Sequence, residues 1–111
     1  PLPTSGQWWL WTVADQCDAA CVTALQKLRA AHILLNREAK RVRRGVTTSP
    51  AFVVPEDQQD LQRIETLNGE TDEGIYIVYP NGKLVFVYPL DINPKLLLAD
   101  LKKLLKVSQI G

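Results

Sequence analysis

Cys17 and Cys21, four positions apart, are the only two cysteines among the 111 residues, and they are the side chains best suited to chemistry. They follow the apolar, aromatic run Trp8–Val13 after a short polar turn, where we expect a helix to begin. A helix N-terminus carries partial positive charge, so a cysteine there can ionise below the pKa of about 8.5 of a free thiol. Such a thiolate can attack a disulfide or bind a soft metal ion such as Cu(I).

The spacing of the two cysteines also suggests how they would divide the work. Cys17 lies nearer the positive end of the helix and is expected to be the more exposed, so we assign it the attacking role. Cys21 falls on the apolar side of the helix and would be the resolving thiol. Alternatives stay open, because an i, i+4 pair is also close enough for a structural disulfide, or for two thiols packed beside the core.

The first half of the chain supplies the strand–helix junction that this chemistry needs. Trp8–Val13 reads as a buried strand, and a helix is predicted from about Asp18 to Leu35, with Asp15 or Asp18 as its cap. A second strand is expected between residues 40 and 48, and residues 51–54 form another strand-like run. The apolar stripe of the helix contains Cys21, Leu25, Leu28, His32 and Leu35.

The second half predicts a helix, a hairpin and a final helix. The second helix begins at Pro55 and closes at Asn68-Gly69. Two β-branched and aromatic runs within residues 74–88 flank Asn81-Gly82, a pair typical of a type I′ hairpin turn. Asn93 then caps a helix that begins at Pro94 and covers Lys95 to Val107.

This element order predicts the fold class. A strand–helix–strand unit implies a parallel pair, and the hairpin adds antiparallel strands. We therefore expect an α/β (α+β sandwich) protein with a thioredoxin-like fold, a mixed sheet of four to five strands and flanking helices. Residues 8–111 form a single thioredoxin-like domain, and residues 1–7 a tether or disordered start. The cysteine pair at the first helix fits such a redox domain, although it is one residue longer than Cys-x-x-Cys.

Composition sets limits on the class of protein. A hydrophobic fraction of 46% suits a globular core, and a net charge of +1 does not indicate nucleic-acid binding. No run approaches the about 20 apolar residues of a membrane-spanning helix. The sequence begins with Pro1 and contains no methionine, so we expect that a leader or anchor was removed or that only a soluble part is present.

The cysteine pair, together with the Ile75–Val78 strand followed by Pro80-Asn81-Gly82, resembles the SCO/SenC family. The segment from Asp91 to Gly111 is also similar to membrane-anchored bacterial proteins of cytochrome oxidase assembly. The resemblance implies a thioredoxin-like assembly factor for cytochrome c oxidase, membrane-anchored in the bacterial periplasm. It implies a cytochrome c oxidase subunit, or another copper or redox assembly factor, as the partner.

The sequence departs from that family at one position of consequence. The family completes its copper site with a histidine shortly before the strand that corresponds to Ile75–Val78, whereas residues 69–74 contain none. The only histidine, His32, lies eleven residues beyond Cys21, or roughly 16 Å along the helix. The proline that thioredoxins place before this strand is also missing. A copper site of two cysteines and one histidine is therefore not expected.

Three functions remain for Cys17 and Cys21. The first is thiol–disulfide exchange on a partner's copper-ligand cysteines, which would make the protein a thiol–disulfide oxidoreductase. The second is a Cu(I) chaperone that holds copper, its only implied cofactor, with the two thiolates. The third is a non-catalytic docking domain with a structural disulfide.

The other conspicuous side chains favour structural roles. His32 is expected to be a hydrogen-bonded structural histidine. At least one of the tryptophans at positions 8, 9 and 11 is expected to pack in the core, with shielding of the cysteine site or of a docking surface as the alternative. The basic segment Arg37–Arg44 is interpreted as a solvated strand edge, with an acidic partner or anionic lipid headgroups as the alternative.

Overall fold

The computed structural model describes residues 6–65 and 71–108. Within these ranges the chain forms five strands and two α-helices, joined by short 3₁₀ turns. The strands are β1 (Trp8–Val13), β2 (Val42–Thr47), β3 (Leu61–Arg63), β4 (Gly74–Val78) and β5 (Leu84–Tyr88). The α-helices are α1 (Ala19–Ile33) and α2 (Pro94–Val107), and the 3₁₀ helices are Asn36–Arg41 and Glu56–Gln58. None of the helices in the described ranges is long and apolar enough to cross a membrane.

The five strands make one mixed sheet in the order β3-β2-β1-β4-β5. β1 is the central strand. It pairs in parallel with β2, where Trp8 lies opposite Val42, and it pairs antiparallel with β4, where Trp9 lies opposite Val78. β3 continues the parallel side and β5 the antiparallel side. The predicted mixed, thioredoxin-like sheet is therefore confirmed, and its β1–α1 junction carries the cysteines.

The two faces of the sheet are covered differently. On one face Trp8 and Leu10 of β1 join a core cluster with Leu28 of α1 and with Leu97 and Leu101 of α2. On the other face a second cluster contains no residue of either α-helix, and its members are Trp9, Trp11, Val13, Ile64, Tyr76 and Val78. All three tryptophans are 1 to 2% exposed, so the prediction that at least one of them packs in the core is confirmed.

The predicted second helix is wrong over the part of it that the structure describes. Residues after Pro55 make only the 3₁₀ turn Glu56–Gln58, and Leu61–Arg63 then pairs in parallel with β2. Leu61 and Ile64 are buried on the sheet. Ile64 packs over Gly45, and a Cβ atom at position 45 would clash with Ile64 and lie 3.3 Å from Trp9 Cε3, so this position has room only for glycine. The sequence predicts the helix from a narrow apolar side of Leu61, Ile64 and Leu67, and pairing with the free edge of β2 outweighed that pattern. The predicted helix end at Asn68-Gly69 lies outside the described residues.

Residues 51–54, the other strand-like run, lie in a turn and the loop after it, without strand pairing. The second strand, expected between residues 40 and 48, is β2.

The hairpin is confirmed, but its turn type differs from the prediction. Gly82 N donates to Tyr79 O over 2.8 Å, so Pro80 and Asn81 are the central residues of the turn. A type I′ turn needs positive φ at both central positions, whereas here only Gly82, after them, has positive φ, at 92°. Proline explains the shift, because its ring fixes φ at about −65°.

Both α-helices begin with the predicted type of cap. The Asp18 carboxylate accepts a hydrogen bond from Cys21 N, and the Asn93 side chain accepts one from Lys95 N. Pro94 is the first residue of α2, as expected. The Arg41 guanidinium donates to Leu105 O and Ser108 O at 3.0 and 2.9 Å, and so satisfies carbonyl groups at the C-terminal end of α2.

Candidate redox site

Cys17 and Cys21 are joined by a disulfide, with their Cα atoms 4.9 Å apart. Cys21 is completely buried in the first turn of α1, whereas Cys17, just before the helix, is partly exposed. Cys17 is therefore the more exposed of the two, as the sequence predicts. Solvent therefore contacts Cys17 but not Cys21. The chemical roles of the two thiols stay predictions.

The start of α1 fixes the cysteine pair in place. Asp18 has extended backbone angles and its Oδ1 accepts from Cys21 N over 3.1 Å, so it is the N-cap and Cys17 directly precedes it. Asp15, the other predicted cap, takes a different part: its backbone N donates to Glu73 Oε2 over 3.2 Å. The cysteine loop is thus tied to the residue immediately before β4.

Glu73 is a residue that the sequence alone did not place beside the cysteines. It lies 58 positions from Asp15, at the point before β4 where the resemblance predicts a histidine. The sequence shows that Glu73 directly precedes a predicted strand. Only the antiparallel pairing of β1 and β4, with Val13 opposite Gly74, places it at the cysteine loop. A carboxylate there is a poor ligand for Cu(I), which prefers thiolate sulfur.

The disulfide packs on a small apolar cluster at the end of the sheet. Cys21 lies in this cluster with Leu25, Val46 and Leu61, and Cys17 contacts it from its rim. Three partly buried residues complete the rim, namely Phe52, Val54 and Leu90. The disulfide therefore lies on an apolar cluster whose rim is partly exposed.

A groove of about 540 Å³ runs beside the first turns of α1. Its floor is formed by small residues of the helix, and Leu90 belongs both to the groove and to the rim of the disulfide. Charged side chains of both signs, Lys27, Glu73 and Asp91, stand around it. The groove is therefore connected to the disulfide cluster through Leu90, has neither cysteine in its lining and carries no single dominant charge.

The described residues contain no group of three or more histidine, cysteine, aspartate or glutamate side chains that could hold a metal ion. His32 is engaged elsewhere: its Nε2 lies 2.9 Å from Ala39 O and 2.8 Å from Val42 O. The prediction of a hydrogen-bonded structural histidine is confirmed. If copper binds, the chain's own donors are the two thiolates of the reduced pair.

The basic segment is not the solvated strand edge that its charge predicts. β2 lies inside the sheet between β1 and β3, and Arg44 within it is only 1% exposed. Arg44 Nη2 donates to Leu25 O at 2.7 Å and to Gln58 Oε1 at 2.8 Å, while Nη1 lies 3.4 Å from Asp60 Oδ1. Burial lowers the pKa of Arg44, and the Asp60 carboxylate opposes that shift.

We call Arg44, Gln58, Asp60 and His32 the arginine cluster. His32 Nδ1 lies 3.8 Å from Asp60 Oδ2, which connects α1 to the loop before β3. The remaining cations of the segment include Arg41, which bonds to Glu38 and to α2, and Arg43, which bonds to Gln7. The cluster is therefore a structural clamp between α1, β2 and the loop before β3.

Known proteins support this fold. No curated protein sequence matches the chain. Among solved structures, yeast Sco1 with copper bound superposes with a TM-score of 0.69 at 13% identity, over 95% of this chain and 79% of that one. BsSco, described as a member of the Sco family with a disulfide switch, superposes with a TM-score of 0.60 at 15% identity, over 95% of this chain and 84% of that one. A putative thioredoxin from Neisseria meningitidis superposes with a TM-score of 0.62 at 10% identity, over 96% of this chain and 79% of that one.

These identities show a shared fold, so the resemblance to Sco proteins holds at the level of the fold. The sequence itself also matches a family, described as "transmembrane-like, thioredoxin-like, C-terminal domain", over residues 8–108. That match covers both cysteines and all the strands and α-helices described above. The chain therefore belongs to the transmembrane-like, thioredoxin-like, C-terminal domain family.

Proposed function

We propose that this chain is a Sco-like assembly factor for cytochrome c oxidase that exchanges thiols and disulfides through Cys17 and Cys21. One observation carries the proposal: a half-exposed cysteine is bonded to a buried one at the start of a helix in a thioredoxin-like fold. The solved structures of similar fold support it, since they include Sco proteins with copper bound and one with a disulfide switch.

The reaction begins from the reduced pair. The Cys17 thiolate attacks a disulfide between two copper-ligand cysteines of the partner, forms a mixed disulfide and releases one partner thiolate. The Cys21 thiolate then attacks Cys17 Sγ, which closes the disulfide seen here and releases the second partner thiolate. Two electrons pass from this chain to the partner, and a dithiol reductant protein must reduce the pair again.

Two features of the site serve this exchange. The unpaired N–H groups at the start of α1 place partial positive charge beside Cys17 and stabilise its thiolate. The apolar rim of Phe52, Val54 and Leu90 offers a packing surface for the partner segment that carries the target cysteine.

A second candidate is a Cu(I) chaperone in which the same two thiolates hold copper as cargo. Thiolates are the ligands that Cu(I) prefers, and two of them suffice for a site of low coordination number. With no third ligand group among the described residues, the partner would supply any further donor during transfer.

The cellular setting is part of the proposal. We place the domain in the bacterial periplasm, held to the membrane, with a cytochrome c oxidase subunit or another copper or redox assembly factor as its partner. A periplasmic location agrees with the disulfide, because disulfides persist in oxidising compartments.

The deciding experiment is a trapping assay on a peptide that carries two disulfide-bonded cysteines. Reduced Cys21→Ser retains the attacking thiol and should accumulate the mixed disulfide, whereas Cys17→Ser should not. Equal trapping by both variants, or by neither, would contradict the assigned roles. A reduction potential far below about −300 mV would instead indicate the non-catalytic docking domain with an inert bridge.

An anaerobic Cu(I) titration against a competing chelator separates the two leading candidates. One tightly bound copper per reduced chain, lost in Cys17→Ser, would favour the chaperone. Binding no tighter than that of a simple dithiol peptide would leave thiol–disulfide exchange.

A further inference from the structure

Strand β5 exposes an apolar surface at the edge of the sheet. Four of its five residues are exposed: Leu84 by 46%, Val85 by 36%, Phe86 by 45% and Val87 by 59%. One side of β5 pairs with β4, and no strand lies on its other side within the described ranges. The backbone groups on that outer side are therefore available to another strand.

The apolar surface extends onto α2. The Tyr88 hydroxyl donates to Asp100 Oδ2 over 2.8 Å, which fixes α2 beside the end of β5. Leu96 lies one helical turn before Asp100, on the same side of α2, and is 58% exposed. We call Leu96 and the exposed residues of β5 the β5 surface.

Proteins usually protect an edge strand with charged residues, a proline or short length. The opposite edge follows this rule: β3 has three residues, and Gln62 and Arg63 are exposed on it. β5 is longer and contains neither a charge nor a proline. An unprotected apolar edge of this kind indicates a surface that is covered by another strand.

We propose that the β5 surface binds the β5 surface of a second copy of this chain, with the two β5 strands antiparallel. The two sheets would join into one continuous sheet across a two-fold axis. The contact is self-complementary, because each copy contributes the same strand and the same Leu96.

The charges around β5 favour this occupant. Lys83 directly precedes the strand, Asp91 follows it three positions after its end, and the strand between them is uncharged. Antiparallel pairing brings the end with Lys83 of one copy beside the end with Asp91 of the other. The symmetry repeats this opposite-charge contact, whereas a parallel arrangement would place like charges together.

The size of the surface sets the expected strength. One pair of five-residue strands with flanking Leu96 residues makes a small interface compared with the about 1,600 Å² that a standard specific interface buries. The dimer should therefore dissociate on dilution rather than persist at all concentrations.

Sedimentation velocity over a range of concentrations tests the proposal. The full chain should pass from monomer to dimer as its concentration rises, and Val87→Lys should stay monomeric. Val107→Lys is the matched control, because Val107 is also exposed, by 75%, but lies at the far end of α2. A wild-type chain that stays monomeric up to millimolar concentration, or forms only polydisperse aggregates, would overturn the proposal.

A charge exchange tests the orientation of the two strands. Lys83→Glu and Asp91→Lys should each weaken the dimer by up to about tenfold, since the contact occurs twice and an exposed pair contributes modestly. The double variant should restore the wild-type dissociation constant. A double variant whose dimer is weakened by the sum of the two single effects would exclude the antiparallel contact. A chain that stays monomeric and binds anionic vesicles, with binding lost in Val87→Lys, would assign the surface to a membrane instead.

Discussion

The disulfide site and the arginine cluster both attach α1 to the rest of the chain, but they differ in exposure and bonding. The arginine cluster holds the middle and end of α1 through Leu25 O and His32, and Arg44 at its centre is 1% exposed. The disulfide holds the beginning of α1, and one of its two sulfur atoms belongs to a partly exposed residue. The arginine cluster is also reached by solvent at the Asp60 carboxylate, which is 44% exposed, so the two regions differ mainly in what lies at their centre: a buried guanidinium in one and a disulfide in the other.

This difference shows why residue type alone does not identify a functional site. His32 and Arg44 could in principle act on a substrate, yet backbone carbonyls and neighbouring side chains already bind them. Their hydrogen bonds contribute to stability and fix the loop before β3. Perturbing the two regions should therefore affect different properties, stability in one and exchange in the other.

The largest expected effect is that of Arg44→Ala. It should lower the free energy of unfolding by about 3 kcal/mol, because it opens a cavity and leaves Gln58 Oε1 and Leu25 O without their donor. Urea denaturation measures this loss. Arg43→Ala is the matched control, since the adjacent Arg43 is exposed, and it should change stability by less than about 0.5 kcal/mol. Equal losses in the two variants would contradict the clamp.

Replacing both Cys17 and Cys21 by serine should lower the free energy of unfolding by less than Arg44→Ala does, and it should abolish thiol–disulfide exchange. A bridge that closes so short a loop contributes about 2 kcal/mol through the entropy of the unfolded chain. Urea denaturation of the oxidised wild type and the double variant gives the difference. A loss above about 4 kcal/mol would favour the docking domain with a structural disulfide.

His32→Leu should cost about 1 kcal/mol, because the carbonyls of Ala39 and Val42 lose their shared donor. The rate of thiol–disulfide exchange should not change, since this side chain does not adjoin the cysteines. A stopped-flow assay with a disulfide peptide measures that rate. A slower exchange in this variant would link the arginine cluster to the reactive site and remove the contrast between them.

The smallest effect concerns Tyr88, which lies outside both regions. Burial, and then the hydrogen bond to Asp100, raise the pKa of Tyr88 above its ordinary value. The unfolded chain therefore loses this proton first, and this contribution to stability is complete below about pH 10 and decreases above it. Tyr88→Phe should lose less stability than the wild type between about pH 9 and pH 11, as urea denaturation would show. An equal dependence of the free energy of unfolding on pH in the two proteins would contradict the raised pKa of Tyr88.

Local sequence patterns were sufficient for most elements. The aromatic run of β1, the apolar stripe of α1, the hairpin and the Asn93-Pro94 start of α2 were all predicted near their observed limits. The cysteine pair at the β1–α1 junction followed from the same patterns, because caps and periodicity depend on neighbouring residues only.

Other features depend on contacts between distant residues. Leu61 and Ile64 are three positions apart, which suits a helix, but the free side of β2 turned Leu61–Arg63 into a strand. Pro80 moved the hairpin turn away from type I′. The burial of Arg44 required both β3 and α1 around it, so its charge alone predicted the wrong environment.

The sequence by itself determined the position of the two cysteines at a helix start, their relative exposure, the strand–helix–strand unit, the hairpin and the final helix. Tertiary structure decided that Arg44 is buried, that Glu73 meets the cysteine loop, and that β5 is an edge strand. The physical reason is that periodicity and capping report on interactions within one or two turns. Exposure and long-range contacts depend on which strands pair and in what order, and that order emerges only when the whole sheet assembles.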